Sequence, residues 1–191
     1  MKKNSVRGGI LLIVAVIGVW YVSIPFVGPN KYVPKIAPVS KEAPKNMKLT
    51  SSAFTNEEKI PVEFTCDGKK VNPPLAISGI PEGAKSLAMI VDDPDAPAGT
   101  FTHWVIWNID AATTEIGSGT IPPKSQEGTN SAGRIGYTPP CPPSGTHRYF
   151  FTLLALDTTI GLDAKAKKAD LETAMKGHIM EQTNLIGAYG R

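Results

Sequence analysis

The stretch SLAMIVDDPDAPAGTFTHWVIWNI, residues 86–109, decides how we interpret the fold. It holds two apolar runs of strand length, 86–93 and 101–109, separated by a segment rich in aspartate, proline, alanine and glycine. Apolar runs bounded by such turn-forming residues predict two β-strands joined by a loop. Acidic residues at the end of an apolar strand need an explanation, because a soluble domain rarely buries a carboxylate without a partner.

Three predicted strands each carry a polar side chain at one end of an apolar row. Because alternate side chains of a strand share a face, the rows are Leu87, Met89, Val91 and Asp93; Phe101, His103, Val105, Trp107 and Ile109; and His147, Tyr149, Phe151 and Leu153. If the three ends adjoin, Asp93, His103, His147 and Tyr149 line a small pocket with an apolar floor. Asp92 is predicted to point to the opposite face, and Asp95 to serve the turn.

The sequence after residue 46 predicts a mainly β domain. We predict strands near 47–54, 61–65, 75–79, 86–93, 101–109, 134–138 and 147–156. One helix is predicted in AKKADLETAMKGHIM, residues 166–180, where Leu171, Met175 and Ile179 recur at helical spacing. Residues 111–132 read as a surface loop. Seven strands followed by one helix predict an antiparallel β-sandwich with a peripheral helix.

The N-terminal 46 residues have a different composition. Lys2, Lys3 and Arg7 in the basic flank 1–9 precede an uncharged apolar run at 10–27, which as a helix would span roughly 27 Å, close to a bilayer's hydrocarbon thickness. A cleaved signal peptide is the competing interpretation, but no small-residue cleavage pattern follows the run. We therefore expect an uncleaved, single-pass signal-anchor, a Pro-rich linker at 28–46, and a globular domain at 47–191 on the extracytoplasmic side of the cell membrane.

The charge distribution and the two cysteines of the chain argue against some classes of partner and site. Residues 1–45 hold seven Lys and Arg against one Glu, whereas residues 46–191 hold 13 basic against 16 acidic residues. The domain is thus mildly acidic, which argues against nucleic acid as a partner. Cys66 and Cys141 are the two cysteines, and in an extracytoplasmic domain they suggest a disulfide. Their spacing to the histidines does not match a structural zinc site.

The predicted pocket admits several chemistries. Histidine and tyrosine donate hydrogen bonds and a neighbouring carboxylate orients an imidazole, which suits an oxyanion such as phosphate. We expect an ionised Asp93 to orient His103 or His147. Two histidines and one carboxylate also resemble a metal site, and they contain an acid–base pair. No serine or cysteine is evidently placed as a nucleophile; Cys141 is the nearest candidate, and its flanking prolines look structural.

Several motifs resemble the phosphatidylethanolamine-binding protein (PEBP) family, particularly its prokaryotic branch, often labelled Raf-kinase-inhibitor-like. They are DDPDAP, FTHWVIWNI, PPCPPSGTHRYFFTLLAL and the terminal AMKGHIMEQTNLIGAYGR. The resemblance covers essentially all of 47–191 and implies a Greek-key β-sandwich with a few peripheral helices and a small anion pocket. The pocket residues that it implies are Asp93, Ala96, Pro97, His103, Pro142, Pro143, His147 and Tyr149, with Phe101 as an aromatic wall and the Cys141 amide as a remaining donor.

One departure from the branch concerns the loop YTPPCPP. Relatives more usually carry glycines after the tyrosine, whereas Thr138 and Pro139 follow Tyr137 here. Because proline has no backbone N–H, we expect fewer anion contacts from this loop.

The resemblance leaves more than one function open. The first is a membrane-tethered binding module for phospholipid head groups or other phosphate-containing small molecules, with no cofactor and no catalytic residues. The second is a protein-interaction module, carried by loop 111–132 and the pocket rim, that inhibits a protease or another enzyme; a partner protein or a homodimer would follow. A metal-dependent or acid–base enzyme is the third.

Overall fold

Two antiparallel sheets form the framework of the domain. The computed structural model describes residues 46–191. Strands β1 (Lys48–Thr50), β2 (Leu75–Ser78) and β5 (Glu115–Ile116) form a small sheet in the order β1-β2-β5. The larger sheet has the order β6-β4-β3-β7-β8, and its strands are β3 (Ser86–Asp93), β4 (Phe101–Asp110), β6 (Gln126–Glu127), β7 (Thr146–Leu156) and β8 (Ile179–Gly190). The prediction of a mainly β fold with two antiparallel sheets and few helices is confirmed.

Strand β3 is buried along its whole length because both faces of the large sheet are covered. Leu87, Met89 and Val91 pack into a core shared with the small sheet. Ala88 and Ile90 face the opposite way, into a second core that includes residues of helix α1 (Lys168–Ala174). Three layers, small sheet, large sheet and helix, therefore surround two hydrophobic cores.

Two β-bulges in β4 change which of its side chains share a face. In the pairing of β3 with β4, Val91 lies opposite Trp104 and the next residue, Asp92, lies opposite Thr102. His103 therefore has no partner of its own in β3 and is the extra residue of the bulge. A second shift leaves Trp107 and Asn108 opposite one residue of β3. A bulge moves the following side chains to the other face of the strand. The predicted alignment of Val105 and Trp107 with His103 is therefore wrong: these two residues lie in the core beneath helix α1.

The shorter predicted elements need correction. Residues 61–65 contain a 3-10 helix, Val62–Phe64, because Pro61 begins a tight turn in which Phe64 N–H donates to the Pro61 carbonyl. Residues 134–138 form a loop with one isolated bridge, and 47–54 shortens to the three residues of β1. The loop 111–132 contains the short strands β5 and β6.

The predicted helix 166–180 is also too long. It ends at Ala174, and Gly177 follows with φ of 84°, a left-handed conformation that glycine adopts readily at the end of a helix. Ile179 then begins the twelve-residue strand β8, which the sequence analysis missed. Apolar spacing at Leu171, Met175 and Ile179 thus continues across the boundary, since all three face the same core.

The predicted membrane segment 10–27 and linker 28–46 lie outside the described residues, apart from Asn46. Within residues 46–191, neither helical segment has the length and apolar character to cross a bilayer.

An ion pair fixes helix α1 against the large sheet. Asp92 ends the row of β3 side chains that faces the helix, and only 3% of its side chain is exposed. Lys168 Nζ donates to Asp92 Oδ2 at 2.6 Å, and Thr102 Oγ1 donates to Asp92 Oδ1 at 2.8 Å. A buried carboxylate is tolerated only when charge and hydrogen bonds compensate for lost hydration.

We therefore predict that Lys168→Met lowers the free energy of unfolding by roughly 2–3 kcal/mol, just below the usual cost of breaking a fully buried pair, since Lys168 is partly exposed. Urea denaturation followed by circular dichroism measures this. Lys69→Met is the matched control, because Lys69 pairs with Glu63 at the surface with 73% and 45% of their side chains exposed. It should change stability by less than about 1 kcal/mol, and an equal loss in both variants would contradict the prediction.

Candidate functional site

A small cavity lies at one end of the large sheet, where β3 ends and β4 and β7 begin. Its volume is about 190 Å³. It is lined by Asp93, Ala96, Pro97, Phe101, His103, Thr138, Pro139, Cys141, Pro142, Pro143 and His147. The structure thus brings together nine of the ten predicted ligand-binding residues, and adds Thr138 and Pro139.

Asp93 and His147 form the charged part of the cavity. His147 Nδ1 donates to Asp93 Oδ2 at 2.7 Å, and both residues are buried. The other carboxylate oxygen, Oδ1, accepts the Asp95 backbone N–H at 2.9 Å. Both oxygens of Asp93 therefore have a hydrogen-bond partner, and the carboxylate fixes the orientation of the His147 ring.

His103 is oriented by the backbone instead. Its Nδ1 lies 2.7 Å from the Thr138 carbonyl oxygen, so Nδ1 must carry a hydrogen and donate. The Thr138 N–H in turn donates to the His103 carbonyl at 2.8 Å. The β4 bulge places His103 next to this loop. Of the two histidines that Asp93 was expected to orient, it holds His147, and Thr138 holds His103.

Apolar walls surround these polar groups. The Phe101 ring packs against the His103 ring with centroids 4.8 Å apart, and prolines from two loops complete the wall. Cys141 forms a disulfide with Cys66, with Cα atoms 5.4 Å apart, and Cys66 N–H donates to the Pro140 carbonyl at 3.0 Å. Since the disulfide closes a loop of 75 residues, it contributes about 4 kcal/mol in the chain-entropy description and ties the cavity wall to the rest of the domain.

Tyr149 lies beneath the lining. Its ring meets the His103 ring edge-on at a centroid distance of 5.2 Å, and the residue is fully buried. Within the described range 46–191, its hydroxyl has no partner at ordinary hydrogen-bond geometry, and the group that approaches it is the Cys141 backbone N–H. Burial raises the pKa of Tyr149, an effect that Asp93 strengthens and the Cys141 backbone amide partly offsets. The hydroxyl therefore stays protonated, as a donor close to the cavity.

Asp95 and Arg148 support the turn that frames the cavity. Arg148 donates its backbone N–H and its Nε to Asp95 Oδ2 at 2.9 and 2.8 Å, and its Nη2 to Oδ1 at 2.6 Å. The Arg148 hydrogen bonds hold the pKa of Asp95 below its usual value, although partial burial opposes this. The prediction for Asp95 anticipated a turn role, but the arginine partner was missed because it lies 53 residues away.

Comparisons with known proteins agree with this architecture. A family model for phosphatidylethanolamine-binding proteins matches residues 50–190. A UPF0098 protein of Methanothermobacter thermautotrophicus is 48% identical over 150 residues, covering 76% of this chain and 99% of its own length. The crystal structure of a PEBP homologue from Chlamydia trachomatis superposes with a TM-score of 0.75 and 38% identity, covering 78% and 99% of the two chains. Escherichia coli YbcL, described as a member of the mammalian PEBP family, superposes with a TM-score of 0.72 and 28% identity. The match covers 76% of this chain and 98% of YbcL.

The chain belongs to the phosphatidylethanolamine-binding protein family. The resemblance noted in the motifs is thereby confirmed, and the cavity of this PEBP domain is formed largely by those motifs. Thr138 and Pro139 were noted only as a departure from relatives. The pairing of Thr138 with His103 depends on a contact across 35 residues, for which the sequence offers no local signal.

The described part of the chain, residues 46–191, contains no cluster of three His, Cys, Asp or Glu side chains arranged to hold a metal ion. His178, the third histidine, lies at the surface, where its Nδ1 contacts Asp157 Oδ1 at 2.8 Å. It is remote in sequence and structure from the cavity lining, so it offers a matched His–Asp pair for control experiments.

The protonation of His103 gives the domain a testable pH dependence. Burial lowers the pKa of His103 below its usual 6.5, outweighing the opposite effects of the Thr138 carbonyl and the Asp93 and Asp92 carboxylates. As pH falls below about 6.5, the unfolded chain binds a proton there that the folded protein does not, so stability falls. We predict that the free energy of unfolding declines less between pH 7.5 and 5.5 in His103→Phe than in the wild type. Urea denaturation at each pH measures it, and equal declines would refute the assignment.

Proposed function

We propose that this PEBP domain is a binding protein that holds a small phosphate-bearing group in the cavity at the end of the large sheet. The observation that carries the proposal is the buried Asp93–His147 pair opening into a cavity of about 190 Å³ with apolar walls. A phosphate group fits such a volume, and its oxygens accept hydrogen bonds from an imidazolium. Apolar walls exclude water and strengthen those bonds.

The geometry of the His147 ring supports anion binding. Its Nδ1 is committed to Asp93, so Nε2 is the ring nitrogen left for a ligand. In the protonated ring Nε2 carries a hydrogen, and the Asp93 carboxylate stabilises that charged form. The Cys141 backbone amide, in the wall of the same cavity and beside the Tyr149 hydroxyl, is a second candidate donor. These donors replace the arginine or lysine that many phosphate sites use.

Several features favour binding over catalysis. Cys141, the nearest candidate nucleophile in the sequence, is in a disulfide and has no thiolate. Among the lining residues of the described chain, Thr138 supplies the one aliphatic hydroxyl, and its Oγ1 lies 2.9 Å from Asn130 Nδ2. The histidines thus have no activated nucleophile beside them. We therefore propose that the domain holds its ligand without transforming it.

We further propose that residues 10–27 anchor the protein in the membrane with the domain outside the cytoplasm. The basic flank and the apolar run support this, as does the disulfide, which persists in an oxidising compartment. Any tether that precedes Met47 joins the domain near Glu181, whose Oε1 accepts the Met47 N–H at 2.8 Å. Glu181 on β8 is paired with Ala155 on β7. His147 precedes Ala155 by eight residues on β7, so it lies roughly 26 Å from Ala155 along the strand.

This placement bears on the source of the ligand. Met47 lies near the end of the large sheet opposite the cavity. We propose that the ligand reaches the cavity from solution, which is supported by the roughly 26 Å along the sheet between His147 and the point where Met47 joins the domain.

We predict that His147→Ala weakens binding of inorganic phosphate by the full-length protein about ten- to a hundredfold, because it removes a charged hydrogen bond. Isothermal titration calorimetry at pH 7 measures this. His178→Ala removes the histidine of the surface pair and should bind phosphate like the wild type. If His147→Ala also binds like the wild type, the cavity is a polar edge of the core and the proposed function fails.

The anchor gives a separate prediction. In a bacterial host, the full-length protein should sediment with membranes after alkaline washing, and N-terminal sequencing should recover the residues that precede the apolar run. A variant lacking residues 1–27 should remain in the soluble fraction. A mature N-terminus near residue 30 would show instead that the run is a cleaved signal peptide.

A further inference from the structure

The two cavity histidines offer a ligand different groups. In each ring Nδ1 is already used as a donor, by His147 to Asp93 and by His103 to the Thr138 carbonyl. A ligand in the cavity therefore meets Nε2 of both rings. Whether Nε2 donates or accepts depends on the charge of each ring, because Nε2 carries a hydrogen only in the imidazolium when Nδ1 is the protonated nitrogen of the neutral form.

The surroundings of His103 favour the neutral ring. Phe101 and Tyr149 pack against it, and only 4% of its surface is exposed. The titratable groups that act on it electrostatically are the Asp93 carboxylate and, from the other face of the sheet, the Asp92 carboxylate, which favour a proton, and His147, which opposes one. Burial outweighs the carboxylates and lowers the pKa of His103. Above pH 7 its Nε2 therefore presents a lone pair to the cavity.

His147 differs because its Nδ1 partner is a carboxylate. Its Nδ1 donates to Asp93 Oδ2 at 2.7 Å, and a protonated ring has Nε2–H to donate to an anion. The cavity thus places a ring held by a carboxylate and a ring held by a backbone carbonyl on two strands that flank β3. An oxyanion that satisfies both must accept from His147 and donate to His103.

Resting on the proposed function, we propose that the cavity selects an oxyanion that itself carries a proton, with His103 as the residue that determines this specificity. Inorganic phosphate near neutral pH and the monoanion of a phosphomonoester have a P–OH group to donate to Nε2 of His103. Sulfate and phosphodiesters, including the phosphodiester of a phospholipid head group, have none. They would place an unprotonated oxygen against the Nε2 lone pair, and a buried acceptor left unpaired is costly.

Phosphate and sulfate form a matched pair for testing this. At pH 8 both are mainly tetrahedral dianions of similar size, and the phosphate dianion carries a hydrogen on one oxygen whereas sulfate carries none. Calorimetry with the full-length protein at pH 8 should show phosphate binding at least about tenfold more tightly than sulfate, the factor expected for one buried hydrogen bond of this kind. Dimethyl phosphate, as the phosphodiester probe, should bind as weakly as sulfate or more weakly.

His103→Phe keeps an aromatic ring but removes the acceptor, so its phosphate-to-sulfate ratio should fall to about one. His178→Ala should keep the wild-type ratio. Equal affinities of wild type for phosphate and sulfate would overturn the inference and leave the proposed function standing, whereas failure to bind any of the three anions would overturn both. If His103→Phe folds and keeps the wild-type phosphate-to-sulfate ratio, the role of His103 is overturned. If that variant does not fold, the wild-type affinities for phosphate and sulfate decide the inference.

Discussion

Two consecutive buried aspartates constrain the rest of this structure. Strand β3 has no exposed residue, and it ends in Asp92 and Asp93, which point to opposite faces of the large sheet. Neither carboxylate can be buried without compensation. On one face Asp92 meets Lys168 and so fixes helix α1; on the other, Asp93 meets His147 and so forms the cavity. One dipeptide therefore determines where the third layer packs and where the cavity forms.

The bulge at His103 connects this constraint to the cavity. Without the extra residue, strict alternation along β4 would align His103 with Val105 and Trp107, which belong to the core beneath helix α1. The register shift allows His103 to join Asp93 at the cavity while Trp104 still packs in the core beneath the small sheet. Bulges commonly re-aim a side chain next to a functional site. Here the bulge lets one strand supply both cores and a residue that lines the cavity.

The sequence predicted the cavity better than it predicted the elements around it. Asp93 and His147 were found because a polar group at the end of an apolar row is visible in strand alternation, and the family motifs supplied the proline walls. His103 was found from a row that the β4 bulge interrupts. Strand β8 was missed because EQTNLIGAYG has few apolar residues in strict alternation; its pairing with β7 over eleven positions is a tertiary effect. The bulges of β4 were also missed, since an extra residue in one strand is defined only against its partner. The helix was overextended because its apolar spacing continues into a strand that faces the same core.

The disulfide and the Thr138 loop hold the wall of the cavity that contacts His103. A flexible wall would let water reach both imidazoles and let either ring change its protonation freely. Instead, the Cys66–Cys141 bond and the Cys66–Pro140 hydrogen bond hold the loop that carries the Thr138 carbonyl. That carbonyl fixes the hydrogen of His103 on Nδ1, while Asp93 fixes that of His147. A backbone acceptor thus holds one ring and a carboxylate the other, so two chemically identical side chains are oriented by different partners around the same small volume.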